Sequence, residues 1–512
     1  MFFWKRKKSQ GDNLKEDKKK NELPIHRQTT VEMIEMLKKH FQHSNDLMYR
    51  HLKDHQIVLV YIQEITDADK INQNVISPIQ NLDSKHLSNE VLMESINVGG
   101  IKSTNDFEEV IQSITTGWAL VYLSKKNSGI LVEVGKLRER ALSRPENETN
   151  VYGPQIAFSE ALSTNKALIR ENLHNPKLCI EDLLVGKVSR TKVALFYIEG
   201  ISNEENVNTM RQRIQDLEFD SVFDAANLVQ LIEDNSMTIF PQLMLTERPD
   251  RLGHELSQGK VGVVIDGSSY AIMGPTTFLS FFQTTEDYYV RWTMGTFIRL
   301  VRFLATIMSI FFTPLYVLAV TFHYEIIPSD LLVQLGQTRS KVPFPPILEA
   351  LFLEFTIELL REAGARLPTK VGQTMGIVGG IVIGQAAVQA GFTSNILIII
   401  VAISALGSFT APNYMMGNAI RIIRFPIIIL AGLYGGFGVG FSIVFLSVHL
   451  LRLSSLGRPY FYPLFPFRIK EFKDTFIRMP FPKLAKRPDY NDTKDEGRFN
   501  QHRANKKKDI DE

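Results

Sequence analysis

Four glutamates interrupt a single apolar stretch, Pro346–Glu362 (PILEALFLEFTIELLRE). Glu354, Glu358 and Glu362 recur every fourth residue, so a helix stacks them on one face. Glu349 lies off that face. A carboxylate facing lipid at mid-bilayer costs about 2.5–3.5 kcal/mol, so such a face must meet protein, water or an ion path. Two readings follow. In one, the helix caps a bundle and Glu358 and Glu362 pair with Arg361 and Arg366. In the other, several copies gather and each glutamate becomes one member of a carboxylate ring that selects cations. The ion-path candidates are therefore Glu354, Glu358 and Glu362.

Other patterns speak to packing rather than chemistry. Gly372, Gly376, Gly380 and Gly384 recur every fourth residue, as do Gly432, Gly436 and Gly440; small residues at this spacing let helices approach closely. Pro314 is expected to kink the helix that contains it, and Pro412 and Pro426 to end their neighbours. The polar runs Thr246–Asp250 (TERPD) and Val264–Ser269 (VIDGSS) near strand ends read as turns and caps or as a small-ligand site. There is no phosphate loop, no GxGxxG and no metal-ligand spacing, so neither an enzyme nor a cofactor is expected. Cys179 is the single cysteine, which rules out an intrachain disulfide.

The elements that carry these residues fall into two regimes. The chain has 512 residues with 22% charged and 44% hydrophobic, but the charge is concentrated before about Phe297. Val301–Val320 is an apolar run of membrane length, with Arg302 at its edge. Met375–Ala390, Asn395–Ala411 and Phe425–Leu451 are further candidates. The expected fold is a duplicated α/β soluble domain followed by an all-α polytopic membrane domain. The duplication is visible in the residues: Ile57–Ile65 (IVLVYIQEI) resembles Lys192–Ile201 (KVALFYIEGI), Ile79–Leu82 (IQNL) resembles Ile214–Leu217 (IQDL), and Gly117 and Gly259 each precede a buried-type strand.

The expected divisions are a basic disordered arm (1–30), two α/β subdomains (31–150 and 151–290), a helical membrane domain of four to six spans (291–452), a proline- and aromatic-rich region (453–485) and a disordered tail (486–512). Residues 1–29 hold nine Lys/Arg against four Asp/Glu, which suits a solvated tail or an arm at an anionic leaflet. Arg291, Arg299 and Arg302 before the first span place the soluble half on the cytoplasmic side. The basic region after Leu451 favours the same side, which needs an even number of spans. Arg421 and Arg424, read as residues of an inside loop, favour five spans instead.

Several motifs converge on a known family. Phe240-Pro241-Gln242, Thr246–Asp250, Gly259–Val261, Val264–Gly267, Glu286–Tyr289, Pro314–Tyr316, Glu358–Ala363, Arg366–Pro368, Gly372–Gly391 and Phe409–Pro412 keep an order that resembles the A subunits of spore germinant receptors, the GerA family. One departure is Ser268-Ser269-Tyr270 after Asp266-Gly267, where the family has a proline. The resemblance implies a receptor in the spore inner membrane that works with a permease-like B subunit and a lipoprotein C subunit. It also implies a homo-oligomer that releases ions through a channel when germination starts. No nucleic-acid partner is implied. A non-channel scaffold that couples a permease-like sensor to later steps is the rival reading, and an ion-coupled transporter ranks behind both, because no inverted repeat relates the spans.

Overall fold

The computed structural model describes residues 25, 28–42, 44–83, 87–136, 142–367, 380, 382 and 384–500. The basic arm up to residue 24, Gly372, Gly376 and the last twelve positions, 501–512, lie outside them.

The sequence repeat is a repeat of topology. The first subdomain holds β1 (Leu47–Leu52), β2 (Ile57–Ile62), β3 (Ile101–Thr104), β4 (Trp118–Leu123) and β5 (Gly129–Glu133) in the order β1-β2-β4-β5-β3. The second holds β6 (Leu178–Val185), β7 (Thr191–Ile198), β8 (Met244–Thr246), β9 (Val261–Ile265) and β10 (Ala271–Gly274) in the order β6-β7-β9-β10-β8. Both sheets are antiparallel throughout. Central strands are covered on both faces, so they read as continuous apolar runs. In β2, Val58, Val60 and Ile62 enter one core while Ile57 and Leu59 enter the other. The matched glycines do the same job: Gly117 and Gly259 both have φ of +92°, and a Cβ would lie 3.2 Å from the Ile65 carbonyl oxygen in one copy and 3.4 Å from that of Ile201 in the other.

The subdomains are joined by a buried ion pair. Helix α1 (Leu162–Asn172) carries Arg170, whose Nε and Nη2 donate to Asp46 at 2.6 and 2.9 Å, with Nη2 also donating to Ser44 Oγ at 3.1 Å. Asn45 N donates to Ile180 O at 3.0 Å, tying the two units at their sheet edges.

The helical half comprises α2 (Trp292–Thr321), α3 (Ser329–Arg339), α4 (Pro346–Arg366), α5 (Asn395–Ser408) and the helical stretch α6 (Tyr414–Arg452). By length and composition α2 and α6 are apolar enough to cross a membrane. Helix α2 runs on through Pro314, and Pro426 is internal to α6 rather than an end. The break comes at Gly435, with φ of 56° and ψ of −132°. Phe425–Leu451, expected as one span, is therefore two arms, 414–434 and 436–452. Straight, the stretch would separate Met416 from Leu450 by about 50 Å at 1.5 Å per residue. Instead both enter one core with Phe240 of the second subdomain and Tyr460 of the C-terminal segment, while Ala431 and Val439 meet Leu318 near the far end of α2. The arms form a hairpin with its tip against Phe322 and His323.

The hairpin brings the C-terminal segment back to the second subdomain. Tyr460 is fully buried and its hydroxyl donates to Pro241 O at 2.6 Å. Asp234 accepts from Ser454 Oγ (2.5 Å), Leu456 N (3.0 Å) and Gly457 N (3.0 Å). Residues 487–491, expected within a disordered tail, are anchored: Tyr490 and Asn491 are buried, Tyr490 OH donates to Thr276 O at 2.7 Å, and Arg487 Nε donates to Ser257 O at 2.9 Å. Two buried anchors outweigh a polar composition here.

Candidate functional site

The helical half is polar inside. Glu354 of α4 is 1% exposed and meets three other elements. Its Oε2 lies 2.5 Å from Arg424 Nη1 of α6, and its Oε1 accepts from Thr313 Oγ1 of α2 at 2.7 Å. Arg424 Nη2 donates to Ser309 Oγ at 2.8 Å, and Ser404 of α5 lies 3.1 Å from Thr313 Oγ1. Four helical elements thus converge on one ion pair. Arg424, expected in a loop, is inside a helix and fully buried. An arginine inside an apolar run was the available signal for this partner.

Glu349 is also buried. Its Oε1 accepts from Ser394 N (2.5 Å) and Thr393 Oγ1 (3.0 Å), and its Oε2 from Arg339 Nη1 (3.0 Å). It holds the N-terminus of α5, where Ser394 caps the helix. Glu358 is partly buried between Arg361 and Arg421, the latter at 3.7 Å. Glu362 is exposed and pairs with Arg366 at 2.6 Å. The three stacked glutamates therefore grade from buried to exposed, each with a partner in its own chain, and the pairs Glu358–Arg361 and Glu362–Arg366 are those of the bundle-capping reading.

The glycines sort by neighbour. A Cβ on Gly432 would lie 2.6 Å from Ile347 of α4, and one on Gly436 3.2 Å from His323. A Cβ on Gly440, Gly380 or Gly384 would meet nothing within 4 Å among the described residues. Because Gly435 breaks the helix, Gly432 sits on one arm and Gly436 and Gly440 on the other, so they do not form one ridge.

A second cluster lies at the foot of α2. Arg299 is fully buried; its Nε donates to Asp287 Oδ2 at 3.1 Å, and its Nη1 reaches the carbonyl and carboxylate of Asp474 in the C-terminal segment. Arg302 donates to Phe282 O at 2.5 Å and to Asp287 Oδ1 at 3.3 Å. Tyr288 OH donates to Asp474 Oδ1 at 3.0 Å. Arg478 stacks over the Tyr288 and Phe481 rings, 5.5 and 4.2 Å from their centroids. Burial pushes the Asp474 carboxyl above its ordinary range despite Arg299. Soluble half, first long helix and C-terminal segment meet at this latch.

A sequence model of the family described as Bacillus/Clostridium GerA spore germination protein matches residues 35–490. The chain belongs to the GerA family. It is 48% identical over 453 residues to spore germination protein GerQA of Bacillus cereus, covering 88% of this chain and 90% of that one. It is 42% identical to GerIA of Bacillus cereus over 461 residues, covering 89% and 68%. Among solved structures, the N-terminal domain of the A subunit of the Bacillus megaterium spore germinant receptor GerK3 aligns with a TM-score of 0.41 at 24% identity, over 51% of this chain and 99% of that one.

The motifs that carried the GerA resemblance act largely as staples. Glu247 accepts from Glu146 N (2.8 Å), Asn147 N (3.2 Å), Asn147 Nδ2 (2.6 Å) and Tyr270 OH (2.5 Å). Arg251 pairs with Glu148 at 2.7 Å, and Arg248 with Asp250 at 2.9 Å. Thr246–Asp250 thus clamps the linker that enters the second subdomain. Asp266 caps α1 through Leu162 N at 3.0 Å. Ser268 donates to Asp224 at 2.6 Å and accepts from Ala225 N at 3.2 Å. These groups are spent on one another, as turns and caps are.

Proposed function

We propose that this GerA-family chain is the membrane-embedded A subunit of a nutrient germinant receptor in the spore inner membrane, with both termini on the cytoplasmic side. One observation carries the membrane reading: the helical half is inverted in polarity. Thr306, Ser309, Thr313, Ser404, Glu354 and Arg424 are buried, while Phe352, Phe355, Leu406, Ile422, Phe437 (92% exposed) and Phe441 face outward. Water would penalise that surface, whereas lipid tails favour it and demand that polar groups pair internally. The hairpin at Gly435 supports an even number of crossings and meets the basic region after Leu451 on the side of the soluble half. Single cysteines introduced near each terminus of a Cys179→Ser background test this. Both should react with an impermeant thiol reagent from the same face of oriented vesicles; labelling from opposite faces sinks the topology.

The role extends to an oligomer, acting with a permease-like B subunit and a lipoprotein C subunit, that releases cations when germination starts. Glu354 is committed to Arg424, so in this arrangement Glu358 and Glu362, held only by less buried pairs with Arg361, Arg421 and Arg366, are the acidic-face members that could exchange those partners for a shared axis. Glu358→Gln/Glu362→Gln spores should release cations more slowly at normal receptor abundance. Unchanged release would remove these carboxylates from the ion path. The scaffold reading differs in one measurement: the purified chain in liposomes would carry no cation flux.

A further inference from the structure

We propose that the cavity between the second subdomain and the C-terminal segment binds a small polar solute carrying an ammonium group. This does not rest on the membrane reading. The cavity has a volume of about 100 Å³ and is lined by Gln258, Asn491, Tyr462, Glu255, Glu471 and Asp474, among others. Gln258 is 5% exposed and Asn491 1%. Both side-chain amide atoms of Gln258, Oδ1 of Asn491 and the hydroxyl of Tyr462 have no hydrogen-bond partner among the described residues. Each buried, unpaired polar group costs about 1–3 kcal/mol. Four such atoms around one small space call for a polar occupant that satisfies them together.

The lining selects the chemistry. Gln258 offers a donor and an acceptor, Asn491 an acceptor, and Tyr462 either. Of the three lining carboxylates, Glu255 is paired with Lys260 at 2.8 Å and Asp474 with Arg299 at 3.6 Å. Glu471 makes no ion pair among the described residues, and burial pushes its carboxyl up. The same burial holds His254 down, so it adds little positive charge. Glu471, an acid with no cation on it among the described residues, favours an ammonium donor over a carboxylate or phosphate. A water molecule takes about 30 Å³ in the liquid, so the space suits a solute of a few heavy atoms. Tyr288 and Asp474 line the cavity and also hold Arg299, so an occupant shares a wall with the latch at the foot of α2.

The test uses the full chain in detergent micelles with saturation-transfer NMR, and ethanolamine as the probe against glycerol and acetate. Ethanolamine should give a saturable signal. Glu471→Gln should weaken it at least tenfold while leaving any glycerol signal unchanged, and Gln258→Leu should weaken it at least tenfold. Glu471 is only partly buried, so its variant keeps the test decisive if Gln258→Leu fails to fold. No saturable ethanolamine signal, or one indifferent to Glu471→Gln, means a cavity filled by water only and overturns the site. Equal binding of acetate and ethanolamine overturns the ammonium assignment.

Discussion

Two of the buried arginine–carboxylate clusters among the described residues, one in the bundle and one at the foot of α2, differ in how completely they close. In the bundle, Glu354 has both oxygens engaged, by Arg424 and Thr313, and every contact stays within the helices, with Arg424 Nε the one guanidinium nitrogen of that pair left without a partner among the described residues. At the foot of α2, Asp287 serves two arginines, Asp474 comes from a distant segment, and Arg299 Nη2 and Arg478 Nε have no partner among the described residues. A cluster closed on one carboxylate fixes the packing of helices. One spread over three regions, with an aspartate shared between two arginines, has alternative pairings nearby, which suits a joint that must yield.

The comparison breaks most visibly at Glu354. Glu354→Leu leaves Arg424 buried and unpaired, and breaking such a pair costs about 3–5 kcal/mol. The thermal midpoint of the detergent-solubilised chain should fall sharply. Glu354→Leu/Arg424→Met removes both charges and should recover most of the loss, since a buried pair is often replaceable by apolar residues. A single variant as stable as the parent would contradict the closed cluster.

At the foot, removal of one carboxylate should be milder. Asp287→Asn keeps the shape and weakens charge-assisted hydrogen bonds worth about 1.5–3 kcal/mol each. Arg299 retains Asp474. The expected signature is local: faster protease cleavage of the segment around Arg478, with helix content by circular dichroism unchanged. Global unfolding instead would make the foot as rigid as the bundle.

Asp474 separates the clusters by pH. Its carboxyl is raised in the folded chain by burial, so the folded state holds the proton more tightly than the unfolded one. That contribution is fully present below the ordinary aspartate range and is lost as pH rises through the raised value. Asp474→Asn imitates the protonated form, so near neutral pH it should cost little. It should also flatten the pH dependence of segment docking, followed by protease protection, across that window. A steep loss at neutral pH would mean the charge of Asp474 is required.

These contrasts were unevenly legible in the residues. The duplication was readable because β2 and β7 are continuous apolar runs and Gly117 and Gly259 each need a positive φ. The edge strand β1 was not, since Tyr49, Arg50 and His51 are outside its core. The stacked glutamates marked a helix with a buried end, but not which end. Their partner Arg424 was assigned to a loop because Phe425–Leu451 looked like one span. The Gly435-Gly436 pair was the turn signal inside that run, masked by apolar residues on both sides. The latch was invisible because Asp287 and Asp474 are 187 positions apart in sequence, and only the hairpin brings them together.

The smallest effect belongs to Glu362, on the same face as Glu354 but exposed. Its pair with Arg366 spans i,i+4 and leaves both side chains mostly in water. Such pairs are worth about 0.3–0.5 kcal/mol, so Glu362→Gln should leave the thermal midpoint within error of the parent. The charge is nonetheless lost where solvent or another copy would meet it. An effect on cation release without an effect on stability would place Glu362 in function and Glu354 in architecture. Matched destabilisation by Glu362→Gln and Glu354→Leu would mean that the two ends of α4 are not distinguished by burial, and the contrast between closed and open clusters would lose its reference point.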